Sequence, residues 1–260
     1  MPDVPAPPEV VATVEIWLAA HDELAPGTIE GLYIVGSVAL DDWTPYSDID
    51  VVAVVADPSD PDLYVELAAA QTRIRDEVDR AVDGPYVAWG DLVVPAMAVQ
   101  RPWVLDGEYH VDGESFEINP VTWYTLATYG VAVRGASPST LGVVSELDER
   151  RDWVRSNVAS YWRGVGERLA AALAERPDGE FDGDVLEWTA LGIARMLFTF
   201  ETGDVTSKSA AGRWAAERLP SDRDVFERAV AVRATPEAVD RATLERAAGL
   251  TIEIADAISR

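Results

Sequence analysis

Apolar positions in the first half of the chain follow two spacings, one typical of helices and the other of strands. Spacings of three and four residues predict helices, whereas short runs of β-branched residues predict buried strands. The predicted helices cover 10–24, 62–82 and 119–129, and the predicted strands cover 31–35, 49–55, 86–94 and 131–133. This mixture predicts a small mixed sheet with flanking helices.

The pattern changes at Ser145, beyond which only helical spacing recurs. The predicted amphipathic helices cover 146–175, 184–202, 207–219, 222–233 and 236–259. Turns at Pro177-Asp178-Gly179 and Thr202-Gly203-Asp204 separate the first three of these helices. We therefore expect an α/β domain over 1–142, followed by an all-α helical-bundle domain over 143–260.

The composition excludes several classes of protein. The chain has 260 residues and a formal net charge of −25, which disfavours binding to a nucleic-acid backbone. There are no cysteines, so disulfides and thiolate metal sites are excluded. Apolar runs are far shorter than the roughly 20 residues of a membrane span, and the acidic, proline-rich start is unlike a signal peptide. We expect a cytoplasmic monomer whose negative field attracts small cations, although acidity also serves solubility alone.

The strongest local pattern is a pair of carboxylates that follows a glycine–serine step. Gly36-Ser37 ends a predicted strand, and ten residues later Asp48 and Asp50 lead the next strand. Side chains two apart on a strand share a face, so the two carboxylates need a cation, and oxygen ligands suit magnesium. Gly36 allows a phosphate to approach the backbone, and Ser37 opens a helix whose amides attract anions.

This Gly-Ser-x10-Asp-x-Asp arrangement resembles the polymerase-β-like nucleotidyltransferase superfamily. Further stretches are similar to the streptomycin and spectinomycin adenylyltransferases of the aminoglycoside adenylyltransferase family: Leu32-Tyr33, Pro45-Tyr46-Ser47, Arg195, Lys208 and 213–220. The resemblance implies transfer of AMP from ATP to a small molecule's hydroxyl, with two Mg²⁺ ions and release of pyrophosphate. The expected partners are then ATP and a small cationic acceptor, without nucleic acid or membrane.

The resemblance also implies roles for individual residues. Asp48 and Asp50 are expected to bind the metal, with Asp91 as a third carboxylate on a neighbouring strand. Asp91 also stands where the family has a glutamate general base, although aspartate is one methylene shorter. The residues expected to bind the nucleotide are Gly36, Ser37, Ser47, Arg195 and Lys208. Lys208 is the only lysine among 21 basic residues, and its point charge suits a developing pyrophosphate.

The acceptor site is less well defined. Its candidate residues are Tyr109, Asp182, Asp184, Glu187 and Trp188. Phe181, Val185 and Trp188 stand where the family has acidic residues, which indicates either a shifted register or a different acceptor. The three acids among the candidates either bind a cationic acceptor or cap a helix N-terminus. Trp188 also has the spacing of a residue in a helix core.

Two other functions are left open. A nucleotidyltransferase antitoxin would act on or sheathe a partner protein, but such chains usually lack a second, helical domain. Loss of the third carboxylate would indicate a catalytically silent nucleotide-binding homologue. The presence of Asp91 as that carboxylate would instead indicate an enzyme. The sequence also leaves open which acceptor is used and which of its hydroxyls is modified.

Overall fold

The computed structural model describes residues 4–113, 115–176 and 179–260. The chain divides into two compact units, Met1–Glu146 and Leu147–Arg260. This division lies close to the boundary at 142/143 that the change in apolar spacing predicts.

The first unit has the mixed sheet and flanking helices that were predicted. Its strands are β1 (Ile29–Ile34), β2 (Ile49–Val55), β3 (Val82–Val87), β4 (Trp103–Leu105), β5 (Glu108–His110) and β6 (Val131–Arg134). Its helices are α1 (Pro8–Leu24), α2 (Gly36–Ala39), α3 (Pro61–Glu77), α4 (Trp89–Leu92) and α5 (Pro120–Tyr129). The strand order is β5-β4-β3-β2-β1-β6; β2 and β3 are parallel, whereas the other neighbouring strands are antiparallel.

Alternation along β2 directs its side chains into two separate cores. Ile49 belongs to a core that includes Leu67 of α3. Val52 belongs to the opposite core, which includes Trp123 of α5. Asp50 has the same parity as Val52 and therefore lies on the α5 side of the sheet.

The strand predicted over 86–94 has the wrong bounds, because only 86–87 belong to a strand. β3 starts earlier, at the last residue of the helix predicted over 62–82, and the chain after it forms the helical turn α4. Gly84 has no side chain and so interrupts the apolar pattern of β3. Glycine is required here because its φ is 143° and a Cβ would lie 1.8 Å from the Val51 carbonyl oxygen. α4 forms because the Asp91 carboxylate accepts a hydrogen bond from the Ala88 amide at 2.7 Å.

The hairpin of β4 and β5 was not predicted, because strands of three residues are too short to show a period. Asp106 and Gly107 form its turn, with φ values of 52° and 71°. Positive φ at both positions is the conformation of a two-residue type I′ turn.

The second unit is helical, as predicted. Its helices are α6 (Leu147–Asn157), α7 (Arg163–Glu175), α8 (Gly183–Leu186), α9 (Gly192–Thr202), α10 (Lys208–Arg218), α11 (Arg223–Ala234) and α12 (Arg241–Ile258). A π-helical turn at Val158–Trp162 joins α6 to α7, and a second at Glu187–Leu191 joins α8 to α9. α12 begins later than predicted, because Asp240 caps it by accepting the Thr243 amide at 2.9 Å. Pro177-Asp178 of the predicted turn lies outside the described residues.

The two π-helical turns lie close together. Gly192, directly after the second turn, packs against Trp162 of the first, so that a Cβ at Gly192 would lie 1.9 Å from the indole ring. The rings of Trp162 and Trp188 are 5.6 Å apart between centroids. Within the described part of the chain, no helix has both the length and the apolar character needed to cross a bilayer.

Candidate functional site

A glycine after β1 makes room for a carboxylate of β2. Gly36 begins α2 with a φ of 59°, a conformation that favours glycine. A Cβ at Gly36 would lie 1.7 Å from Oδ2 of Asp50, so any side chain here would displace that carboxylate. Gly36 and Asp50, both predicted site residues, are therefore in direct contact.

The hydroxyl group beside this contact lacks a partner. Ser37 Oγ is buried and has no hydrogen-bond partner among the described residues. A buried hydroxyl left this way costs free energy unless water or a ligand satisfies it. Its position next to Gly36 therefore suits an anionic oxygen, such as that of a phosphate.

Two of the predicted metal ligands lie at the start of β2. Asp48 is exposed just before the strand, and Asp50 is half-buried on it. The described residues contain no group of three or more His, Asp or Glu side chains that is poised to hold a metal ion. A carboxylate pair still fits Mg²⁺, which is commonly bound through one or two carboxylates together with substrate phosphates.

The carboxylate on the neighbouring strand is Asp83, which the sequence analysis missed. Asp83 on β3 pairs in parallel register with Asp50, so the two side chains share a face. It is 3% exposed, and its two oxygens accept the amides of Asp106 and Gly107 at 3.0 Å each. Burial, opposed by these hydrogen bonds and assisted by the charge of Asp48, raises the pKa of Asp83 to about 6.

Asp91 is not on a strand, which corrects the expectation for this residue. It lies in α4, where its carboxylate accepts two hydrogen bonds from Arg101, at 2.8 Å from Nε and 2.9 Å from Nη2. The same carboxylate accepts the Ala88 amide. These contacts give Asp91 a structural role that explains its burial without a metal or substrate.

Tyr109 lies on the wrong face of the sheet for contact with Asp50. It pairs with Val104 across the hairpin and packs into the core on the α3 side. Its ring is 5.6 Å from that of Tyr86 and 6.4 Å from that of Tyr64. Tyr109 is therefore part of a core rather than of the site around Gly36.

The Ser47 hydroxyl stabilises the loop before β2. It accepts the Thr44 amide at 3.2 Å and lies 3.0 Å from the Thr44 hydroxyl. The Ser47 amide in turn donates to the Thr44 carbonyl at 3.0 Å. Ser47 thus shapes the turn that leads to Asp48.

In the second unit, the predicted residues Glu187 and Lys208 form an ion pair. Lys208 Nζ and Arg233 Nη1 both donate to Oε1 of Glu187, at 2.9 and 2.7 Å. Arg233, which the sequence analysis missed, is 5% exposed. Burial alone would raise the pKa of Glu187, but the two cations together hold it below its usual range.

Aromatic and acidic groups adjoin this pair. Trp188 is 45% exposed, so it is not the core residue that its spacing also allowed, and Lys208 Nζ lies 5.6 Å from its ring centroid. Asp182 caps α8 by accepting the Asp184 amide at 3.1 Å, which confirms the capping interpretation for this residue. Partial burial is the main cause that raises the pKa of Asp184, and the negative charges of Asp182 and Glu187 raise it further. The remaining predicted residue, Arg195, is half-buried on α9.

Two protein families match the chain. The C-terminal domain of aminoglycoside adenylyltransferase matches residues 152–253, and the nucleotidyltransferase domain matches residues 18–83. No curated protein sequence matches significantly. Among solved structures, the chain is similar to a spectinomycin adenyltransferase from Enterococcus faecialis with ATP and spectinomycin. The two are 14% identical with a TM-score of 0.67, over 95% of this chain and 99% of that one, which shows a common fold.

Proposed function

Because the chain belongs to the aminoglycoside adenylyltransferase family and is an enzyme of that kind, we propose that it transfers AMP from ATP to a hydroxyl of a cationic aminoglycoside or aminocyclitol. Pyrophosphate is the second product. The solved structure with the same fold contains ATP and spectinomycin, which supports both the donor and the class of acceptor.

The observation that carries the proposal is the contact between Gly36 and Asp50 beside the unpartnered Ser37 hydroxyl. Gly36 keeps the backbone open to an approaching phosphate, and Ser37 donates a hydrogen bond to a phosphate oxygen. Asp48 and Asp50 would hold the magnesium that accompanies the nucleotide. When bound, Mg²⁺ neutralises charge on the phosphates and makes the α-phosphate more electrophilic.

Asp83 takes the place of Asp91 as the carboxylate on the neighbouring strand in this proposal, although among the described residues it does not complete a three-carboxylate metal group with Asp48 and Asp50. It shares a face with Asp50, and each of its oxygens retains a lone pair after accepting a backbone amide. Asp91 is not proposed as a general base, because Arg101 occupies both of its oxygens. The case for a catalytically silent homologue rested on loss of the third carboxylate expected at Asp91. A carboxylate at Asp83 weakens that case.

The second unit supplies the groups for the rest of the substrates. Arg195 and Lys208 are the proposed contacts of the phosphates, where a mobile ammonium stabilises the charge of the departing pyrophosphate. Asp184 and Glu187 are the proposed contacts of the acceptor's ammonium groups, and exposed Trp188 offers a surface for its ring. A neutral sugar would offer Asp184 no ammonium group, whereas Glu187 already accepts hydrogen bonds from Lys208 and Arg233.

The direct test is mass spectrometry of acceptors incubated with ATP and Mg²⁺. Spectinomycin, streptomycin and other aminocyclitols form the panel, with a neutral disaccharide as the control acceptor. We expect at least one cationic acceptor to gain one AMP, and Asp50→Asn to lower this turnover by a factor of about 10² or more, because a charged ligand is lost. Undiminished turnover by folded Asp50→Asn, or no adduct with any cationic acceptor, would contradict the proposal.

A further inference from the structure

Arg80 lies just before β3 and binds the loop that leads to Asp48. Its Nη2 donates to the Pro45 carbonyl at 2.7 Å, and its Nη1 donates to the Ser47 carbonyl. Its guanidinium carbon lies 4.9 Å from the centroid of the Trp43 ring. One side chain therefore contacts the loop at three points, two of them within three residues of Asp48.

Asp48 lies between two anchored peptide groups. On one side the Ser47 carbonyl accepts from Arg80, and on the other the Ile49 amide donates to the Ala81 carbonyl at 3.1 Å. Both anchors come from consecutive residues immediately before β3, Arg80 and Ala81. Asp48 precedes the first residue of β2, so the strand ladder fixes only its C-terminal side. Arg80 fixes the other side.

We propose that Arg80 is a positioning residue for metal–nucleotide binding: it holds the Asp48 backbone so that this carboxylate is presented beside Asp50. The inference rests on the proposed function. A planar guanidinium can donate to two carbonyls at once and stack on an indole, whereas the single ammonium of a lysine cannot reproduce this geometry. The role acts through Asp48, and Arg80 itself need not touch the substrate.

The test measures binding of Mn²⁺ together with α,β-methylene-ATP, by electron paramagnetic resonance, before any turnover is assayed. We expect Arg80→Ala to weaken Mn²⁺ binding at least tenfold and to lower kcat, while KM for the acceptor changes less than twofold. Arg80→Lys should recover only part of the loss. Arg73→Ala is the matched control, because Arg73 is an arginine of α3 whose partners are Glu23 and Glu77. It should bind Mn²⁺ like the unmodified protein.

Circular dichroism and thermal unfolding separate positioning from simple stabilisation. Lowered thermal stability with unchanged Mn²⁺ binding in Arg80→Ala and Arg80→Lys would overturn the inference and leave the proposed function intact. Should Arg80→Ala not fold, Arg80→Lys decides the outcome alone. Failure of the unmodified protein to bind the nucleotide at all would overturn the proposed function and this inference with it.

Discussion

At the scale of single residues, Gly36 has two separate reasons to be glycine. Its φ of 59° is unfavourable for a residue with a side chain, and its Cα faces Oδ2 of Asp50. Gly27 has a similar φ of 76°, but a Cβ there would meet nothing within 4 Å. Comparing substitutions at Gly36 and Gly27 therefore separates the cost of backbone strain from the steric effect on the Asp50 carboxylate.

We expect Gly27→Ala to lower the free energy of unfolding by about 1 to 2 kcal/mol, the usual cost of left-handed backbone for an L-residue. Gly36→Ala should cost more than this and should also weaken nucleotide binding, because the new methyl group displaces Asp50. Urea unfolding and calorimetric titration with ATP and Mg²⁺ measure the two effects. Equal losses of stability, with nucleotide binding retained in Gly36→Ala, would contradict this reasoning.

The predicted site residues that the structure brings into contact after β1 and on β2 are close together in the chain. Gly36, Ser37, Asp48 and Asp50 fall within one short segment, so their spacing could predict that they lie together, and Gly36 does lie against Asp50. Asp83 joins them only through the pairing of β3 with β2, which the spacing does not encode. Arg233 similarly reaches Glu187 from another helix, 46 residues away along the chain.

At the scale of elements, long helices were predicted well because several turns of apolar spacing accumulate. The three-residue strands of the hairpin offered no such repetition, and the start of β3 was concealed by Gly84 and Pro85. The π-helical turns were also not predicted, since one wide turn barely changes the apolar spacing of a helix. Their effect is seen in packing instead, where Gly192 admits the ring of Trp162.

Gly192→Ala should therefore destabilise the second unit by about 1 to 3 kcal/mol, because the added methyl group would overlap the indole ring. Gly249→Ala in α12 is the control: its Cβ would make only ordinary contacts, the nearest at 3.5 Å. Alanine there should stabilise the helix by roughly 0.4 to 1 kcal/mol. Chemical unfolding of both variants measures the difference, and a neutral or stabilising Gly192→Ala would show that the two π-helical turns are less tightly packed.

At the scale of the whole molecule, stability in acid depends on a histidine whose partner, Tyr86, belongs to the core on the α3 side of the sheet. His21 is fully buried on α1, with Nδ1 2.8 Å from the Trp17 carbonyl oxygen and Nε2 2.7 Å from the Tyr86 hydroxyl. The carbonyl can only accept, so Nδ1 carries the proton and Nε2 accepts from Tyr86 in the neutral ring. Burial lowers the pKa of His21 from 6.5 to about 4.

The unfolded chain therefore binds a proton at His21 before the folded chain does. Stability from this group is complete above about pH 6.5 and is lost as the pH falls towards 4, by about 2 to 3 kcal/mol at pH 4.5. We expect urea unfolding at pH 7.5 and 4.5 to show a smaller pH dependence in His21→Gln than in the unmodified protein. Comparing the two proteins cancels the contributions of other groups, and an identical pH dependence would contradict the assignment.

The π-helical turn at Glu187–Leu191 has a consequence for how this chain is compared with its relatives. A π-helical turn closes through an i→i+5 hydrogen bond, so it contains one residue more than an α-helical turn. Counting back from Arg195 without this extra residue places Phe181, Val185 and Trp188 at the family's acidic positions. Moving the count by one residue brings three acids onto those positions instead: Glu180, Asp184 and Glu187. Against a chain that has an ordinary α-helical turn here, the extra residue would thus keep three acids at those positions while hiding them from an ungapped alignment.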